Sequence, residues 1–187
     1  MTLPSTQLPT GVLMRLATPD DAAPLADALR ENRSHLAPWE PAWPETHFTE
    51  EGQATRLGGL LMDHNTGRAA PWLLTDGARI VGGITLTGIA RGPFCSSYLG
   101  YWVAASHEGK GLVSTGVAHA AKVARDHLGL HRIEATTLLT NTRSQAVLTR
   151  CGFDRIGTAP NYLHINGAWR DHAIFQQILH DETPPGL

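Results

Sequence analysis

The sequence predicts a mixed α/β domain, a twisted mixed sheet of six to seven strands flanked by about four helices. Three observations carry this reading. Residues 98–128 run as an apolar strand, a glycine-bearing turn and an amphipathic helix in direct succession. Segments with strand-like and helix-like spacing alternate along the rest of the chain, in the order β-α-α-β-β-β-α-β-α-β-β. At 187 residues the chain is long enough for one substantial core, and no repeat, low-complexity tract or linker divides it, so residues 1–187 are taken as a single domain.

Each element has a local reason. Residues 1–10 hold two prolines and small polar residues and read as a loose lead-in. Residues 11–17 read as the first strand. Thr18 is a helix N-cap, Pro19 suits the first helical position, and Asp20 and Asp21 put acids in the first turn. Ala22, Leu25, Ala26 and Leu29 then form one apolar face. Residues 32–44 carry three prolines with Trp39 and Trp43, which precludes a long regular element. This stretch either lines a ligand pocket or folds over the core through its tryptophans. A second helix starts at Thr49-Glu50-Glu51, with Leu57, Leu60 and Leu61 inward, and ends at 65–67. Residues 70–75 and 79–89 are strands joined by a hairpin at Asp76-Gly77, and Gly82-Gly83 marks a bulge or a close backbone approach.

The strand 98–103 comes next. The helix after it shows Val113, Val117, Ala120, Ala121, Ala124 and Leu128 on one face, with Gly129 where a left-handed cap belongs. Residues 131–139 form a further strand. Asn141 opens a short helix containing Ala146, Val147 and Leu148 that stops at Cys151-Gly152. Residues 153–157 read as a strand, and 162–165 with 168–178 as a hairpin on the type I′ signal Asn166-Gly167. Residues 181–187 are a polar tail.

Composition excludes several classes. A net charge of −2 leaves no basic footprint for nucleic acid. No run approaches the roughly 18 apolar residues of a membrane span, and no signal peptide is visible. Cys95 and Cys151 lack metal-type spacing and suit a reducing cytoplasm, although the sequence leaves a disulfide between them open. No cluster has metal-ligand spacing, and no metal is expected.

The turn Glu108-Gly109-Lys110-Gly111 before a helix favours anion binding, because a helix N-terminus offers unpaired N–H groups and glycines allow close approach. A Walker-type loop requires Ser or Thr where Gly111 stands and Gly where Ala104 stands, so that pattern fails. A dinucleotide fingerprint is weakened by Ser114 at its third glycine. A plain strand-turn-helix crossover stays open. There is no Gly-x-Ser-x-Gly elbow, and neither cysteine sits in an activating motif.

A set of short motifs in order then resembles the GNAT superfamily of acyl-CoA-dependent N-acyltransferases, in its RimJ/RimL-like branch. They are Asn32-Arg33, Leu36, Trp39-Glu40-Pro41, Ile80-Val81-Gly82, residues 99–103, Glu108 to Gly111, Asn141-Thr142-Arg143-Ser144 with Gly152-Phe153, and Tyr162-Leu163-His164 with Gly167 and Trp169-Arg170-Asp171. The resemblance implies an acetyl-CoA-dependent N-acetyltransferase of GNAT fold. Its acceptor would be a protein N-terminal amine, such as that of a ribosomal protein. A small-molecule or antibiotic amine is the runner-up, and a non-catalytic acyl-CoA-binding module the alternative of another kind. A homodimer is common in the branch, and the oligomeric state is left open.

The family's pyrophosphate signature falls on Glu108, Gly109, Lys110, Gly111, Leu112 and Val113, where Glu108 and Val113 depart from it. An acid near a diphosphate implies that the Glu108 side chain points away. By resemblance, backbone groups of Trp102, Val103 and Ala104 pair with the pantetheine arm, Asn141 holds the cofactor near its thiol, and Ser144 protonates the leaving thiolate. Ser144 also reads as an ordinary helix-start hydroxyl. Leu148 stands where many relatives carry a catalytic tyrosine, which favours Ser144; Tyr162 is a second acid or a pocket wall. Glu134, among apolar neighbours, is either a base or an ion-pair partner of Arg132. Histidine is the usual general base near neutral pH, but His164 and His172 read more simply as structural, and His107 as solvated. Water carries the proton away if no dedicated base exists. Asn32, Arg33, Trp39, Tyr162 and His164 are the expected substrate-side residues.

Overall fold

β1 (Thr6–Gln7) and β2 (Leu13–Leu16) form the first antiparallel pair, where the sequence reading expected a loose lead-in. The computed structural model describes residues 3–184, so residues 1–2 and 185–187 of the two expected tails lie outside it. The lead-in is ordered because Leu3 and Leu8 are buried, and the Leu8 N–H donates to Val12 O at 2.7 Å across the turn. β1 raises the sheet to eight strands, one more than expected.

α1 (Ala22–Glu31) starts after a one-turn 3-10 segment in which Thr18 and Asp21 form a capping box. Asp21 also receives both guanidinium branches of Arg15, at 2.6 and 2.8 Å. α2 (Arg33–Leu36) is a single helical turn inside the stretch expected to be irregular, and it ends just before Pro38. α3 (Glu50–Asn65) is capped by Thr49, whose hydroxyl accepts from Gly52 N at 3.1 Å.

β3 (Ala70–Asp76), β4 (Arg79–Ala90) and β5 (Ser96–Val103) continue the antiparallel sheet. Gly82 and Gly83 answer to both sequence expectations. The register shifts beside them, and a Cβ at Gly82 would lie 2.7 Å from Trp102 O. α4 (Leu112–Asp126) then crosses to β6 (Arg132–Leu138), which pairs with β5 in parallel. α5 (Thr142–Arg150) leads to β7 (Asp154–Ile165) and β8 (Ala168–Ile178), giving the order β1-β2-β3-β4-β5-β6-β8-β7. The strands expected at 153–157 and 162–165 are one. Pro160 and Asn161 form a bulge, with Asn161 at φ 48° and its N–H donating to Asp171 Oδ1 at 2.9 Å. Asn166 and Gly167 both have positive φ, as a type I′ turn requires.

Two apolar cores lie on opposite faces of the sheet. Met14, Trp72, Ile84, Val117, Ala120 and Ile133 belong to the one under α4 and α5. Leu25, Leu29, Leu57, Leu73 and Ile80 form the other, under α1 and α3. β5 serves both, since Tyr101 packs against the first and Trp102 against the second.

Candidate functional site

β5 and β6 run side by side for only three residues. Ser96, Ser97 and Tyr98 pair with Arg132, Ile133 and Glu134, and beyond them the strands part. Each is held by its outer neighbour instead: Val103 still pairs with Gly82, and Leu138 with His172. The gap opens a cleft of about 790 Å³ between the end of β5, the end of β6, the start of α4 and one side of α5.

At the mouth of this cleft Gly109 and Gly111 have φ of 72° and 75°. A Cβ at either would meet nothing within 4 Å, so the left-handed backbone, and not crowding, selects glycine. Gly111 caps α4 with no side-chain hydrogen bond. The first amides of α4 are therefore free for an anion, and the helix dipole adds to their attraction.

Glu108 lines the cleft, and its carboxylate is engaged across it. Its two carboxylate oxygens accept from Arg143 Nη1 on α5 at 2.9 and 3.0 Å. The ring of His35 stands 3.7 Å away and donates through Nε2 to Val103 O at 3.2 Å. The acid that departs from the expected signature thus ties one wall of the cleft to the other.

Deeper in, Asn141 is the N-cap of α5: its Oδ1 accepts from Ser144 N at 3.1 Å. The Ser144 hydroxyl lies 2.7 Å from the Tyr101 hydroxyl. Burial pushes the Tyr101 phenol up to about 12, and the hydrogen bond with Ser144 only partly opposes that. Sequence reasoning misses Tyr101, because the family tyrosine belongs on α5, where Leu148 stands. Strand alternation was the available signal, because residues 99, 101 and 103 share the face toward α4 and α5.

Of the other cofactor-side residues, Trp102, Val103, Gly109, Leu112 and Val113 line the cleft. Ala104 does not: it is buried, and its N–H is spent on Val81 O at 2.8 Å. Lys110 is exposed and lies off the lining.

The substrate-side residues divide. Trp39 lines the cleft. Asn32 is buried and works as a clamp, its Nδ2 donating to Ala28 O at 2.8 Å and its Oδ1 accepting from Ala105 N at 2.9 Å. Arg33 is paired with Glu45, at 2.5 and 3.0 Å, and lies over the Phe48 ring. Both hold the segment after α1 in place, and neither lines the cleft. Tyr162 sits beside His172, with ring centroids 5.5 Å apart, and His164 packs edge-on against Trp169 at the exposed end of the β7–β8 hairpin. These two also lie off the cleft, whereas His172 lines it and is buried. Burial comes first among the causes that raise the Tyr162 phenol, followed by the proximity of Tyr98 and Glu134. His107, expected to be solvated, has its side chain only 13% exposed. Glu134 is ion-paired with Arg132, the second of its two sequence readings, because residues two apart on a strand share a face. Cys95 and Cys151 are both free thiols.

The comparisons with known proteins agree with this geometry. Residues 12–154 match the acetyltransferase (GNAT) domain family. The [ribosomal protein uS5]-alanine N-acetyltransferase of Escherichia coli (strain K12) is 36% identical over 185 residues, covering 97% of this chain and 95% of that protein. The crystal structure of ribosomal-protein-S5-alanine acetyltransferase from Vibrio fischeri superposes with a TM-score of 0.93 at 34% identity, over 97% of this chain and 100% of that one. Mycobacterium smegmatis RimJ, solved in complex with CoA-disulfide, gives a TM-score of 0.87 at 31% identity, over 94% of this chain and 86% of that one. The parted strands, the glycine turn before α4 and a family match over most of the chain lead to one conclusion: the protein belongs to the GNAT family of acetyltransferases.

Proposed function

We propose that the protein transfers an acetyl group from acetyl-CoA to the α-amine of a protein N-terminus, with the N-terminal alanine of ribosomal protein uS5 as the leading acceptor. The observation that carries this is the 36% identity to the uS5-alanine enzyme across 97% of the chain, in a molecule whose parted strands leave a cofactor-sized cleft. Coenzyme A fits the residues present. The uncapped start of α4 suits its diphosphate, and the free edge of β5 suits the amide-bearing pantetheine arm. Bound acetyl-CoA supplies the thioester carbonyl that the amine attacks. Asn141 holds the thiol end through its amide nitrogen, since its oxygen is committed to Ser144 N.

Ser144 passes its hydroxyl proton to the departing thiolate while taking one from the Tyr101 phenol, which is protonated at neutral pH, across their 2.7 Å contact; solvent water takes up the proton that the attacking amine releases and restores the one that Tyr101 gave. Glu134 and Tyr162 lie close to Tyr98, whose side chain shares a face with Trp102 toward α1 and α3, where an acceptor approaches. A ribosomal-protein acceptor is made in the cytoplasm, and that supports a cytoplasmic enzyme as part of this proposal. Among the described residues no helix is long and apolar enough to cross a membrane.

The test mixes the protein with acetyl-CoA and alanine-led peptides, serine-led peptides and small amines, following thiol release and locating the acetyl group by mass spectrometry. Acetylation of the peptide α-amine, strongest with alanine first, is expected. Turnover of small amines alone moves the assignment to a small-molecule acceptor. Calorimetry that detects no coenzyme A binding removes the reading.

A further inference from the structure

On the α1/α3 face of the sheet lies a second cavity of about 340 Å³. Its walls are largely apolar, with Leu25, Leu57 and Leu60 from the helices and Trp102 from β5. Two charged side chains enter it, Glu40 from the segment after α2 and Arg56 from α3. Glu40, Gly100, Tyr101 and Trp102 also line the cofactor cleft, so the two cavities meet across β5.

Gly100 is where they meet most openly. It lies between Tyr98 and Trp102 on the side-chain row facing α1 and α3, and a Cβ built on it would meet nothing within 4 Å. Its φ is not positive, so the backbone does not require glycine there. What glycine supplies is an opening in the sheet surface beside the gap.

Glu40 and Arg56 are not a closed ion pair. No ion pair within 4 Å involves either among the described residues. Glu40 accepts from Trp43 Nε1 at 3.1 Å, and Arg56 makes a 3.4 Å contact with Gln53 Oε1. Desolvation raises the Glu40 carboxyl and lowers the Arg56 guanidinium from their ordinary values, each more than the other charge offsets. The closed pair Arg33–Glu45 shifts in the opposite directions. The cavity therefore holds a half-buried carboxylate and, at its exposed side, a guanidinium, neither with a contact partner of opposite charge.

We propose that this cavity is the acceptor subsite: Glu40 receives the α-ammonium of the incoming chain, the opening at Gly100 brings that nitrogen to the cofactor cleft, and Arg56 takes the carbonyl of the acceptor's first peptide bond. The inference rests on the peptide-acceptor reading above and specifies its chemistry. A free N-terminus carries an ammonium and a carbonyl on one short unit, which matches one acid and one guanidinium. The volume is at the lower end of the roughly 300–1,000 Å³ of ligand pockets, so only the first one or two residues enter. A small first side chain suits it.

The test uses the 187-residue chain saturated with coenzyme A, an alanine-led hexapeptide amide, and two variants. Glu40→Gln keeps the Trp43 hydrogen bond and removes the charge. Gly100→Val fills the opening with a residue that strands favour. Calorimetry, at coenzyme A concentrations that keep each variant saturated, should show peptide affinity reduced tenfold or more in each variant. The N-acetylated peptide, which has no ammonium, should show no difference between wild type and Glu40→Gln. Peptide affinity unchanged in both variants overturns the subsite. If the wild type acetylates small amines and ignores the peptide, the protein-acceptor reading fails by itself; a tenfold rise in the amine's KM in Glu40→Gln then supports the ammonium site, and an unchanged KM overturns it.

Discussion

Ser144 and Tyr101 come from elements 43 residues apart in sequence and meet at 2.7 Å. Their roles separate in kinetics. Ser144→Ala removes the proton donor and should lower kcat by about 10²-fold or more, the usual contribution of a general acid. Tyr101→Phe keeps the ring packing and removes only the hydroxyl, so about a tenfold fall in kcat with KM for acetyl-CoA little changed is expected from steady-state rates. If the two act as one relay, the double variant falls no further than Ser144→Ala alone. Full additivity separates them. Glu108 is the other residue whose meaning changed between sequence and structure. As a bare acid beside a diphosphate it conflicts with the site; paired with Arg143 it does not.

At the scale of elements, the start of α4 sets cofactor affinity through charge and backbone. Glu108→Gln removes the carboxylate that neutralises Arg143, leaving that guanidinium's charge to act on a diphosphate at the helix N-terminus. Such charges are worth about 0.3–1 kcal/mol, so coenzyme A should bind about two- to fivefold tighter by calorimetry, with the gain shrinking in high salt. Gly111→Ala forces a Cβ onto a φ of 75° and should cost about 1–2 kcal/mol in urea unfolding. The strand-turn-helix unit was readable from sequence because everything that defines it is local: aromatic and β-branched residues, two glycines, then an apolar face of period 3.6. Gly129 at φ 59° and the Asn166-Gly167 turn were readable for the same reason. Non-local features were not. The partners of Glu108, Asn32 and Tyr101 lie 35, 73 and 43 residues away. Nothing in the local pattern of Leu3 and Leu8 announces a strand two residues long, because it exists only by docking on β2.

Across the whole molecule, the Arg15–Asp21 contact joins the β2 strand to the start of α1, over the core beneath α1 and α3. Burial alone would raise the Asp21 carboxyl, but hydrogen bonds from Arg15 and Thr18 outweigh it and hold the group below its ordinary value. A depressed folded value stabilises the protein above the unfolded value of about 3.9 and is lost as pH falls through the folded one. Asp21→Asn should therefore cost about 2 kcal/mol at pH 7, the range for hydrogen bonds to a charged group. Urea midpoints should converge with those of the wild type as the pH drops toward about 2. A difference independent of pH assigns the cost to packing. Where α4 crosses the sheet, a Cβ on Gly116 would run into Ile84 Cδ1. Gly116→Ala should lower stability by about 1–3 kcal/mol without changing coenzyme A affinity, because the clash lies in the core and outside the cleft.

The early parting of β5 from β6 has one more consequence. Unpaired strand rims normally sit at the outer limits of a sheet, where they recruit other chains and lead to aggregation. Here a pair of such rims lies in the middle of the sheet, walled by α4 and α5, so a slender chain-like ligand can reach them and a folded neighbour cannot. The hazard becomes a receptor. Amides of residues 99–103 whose N–H points into the gap should exchange with solvent quickly in the free enzyme and slow sharply once coenzyme A is bound, while those bonded to β4 stay protected in both states.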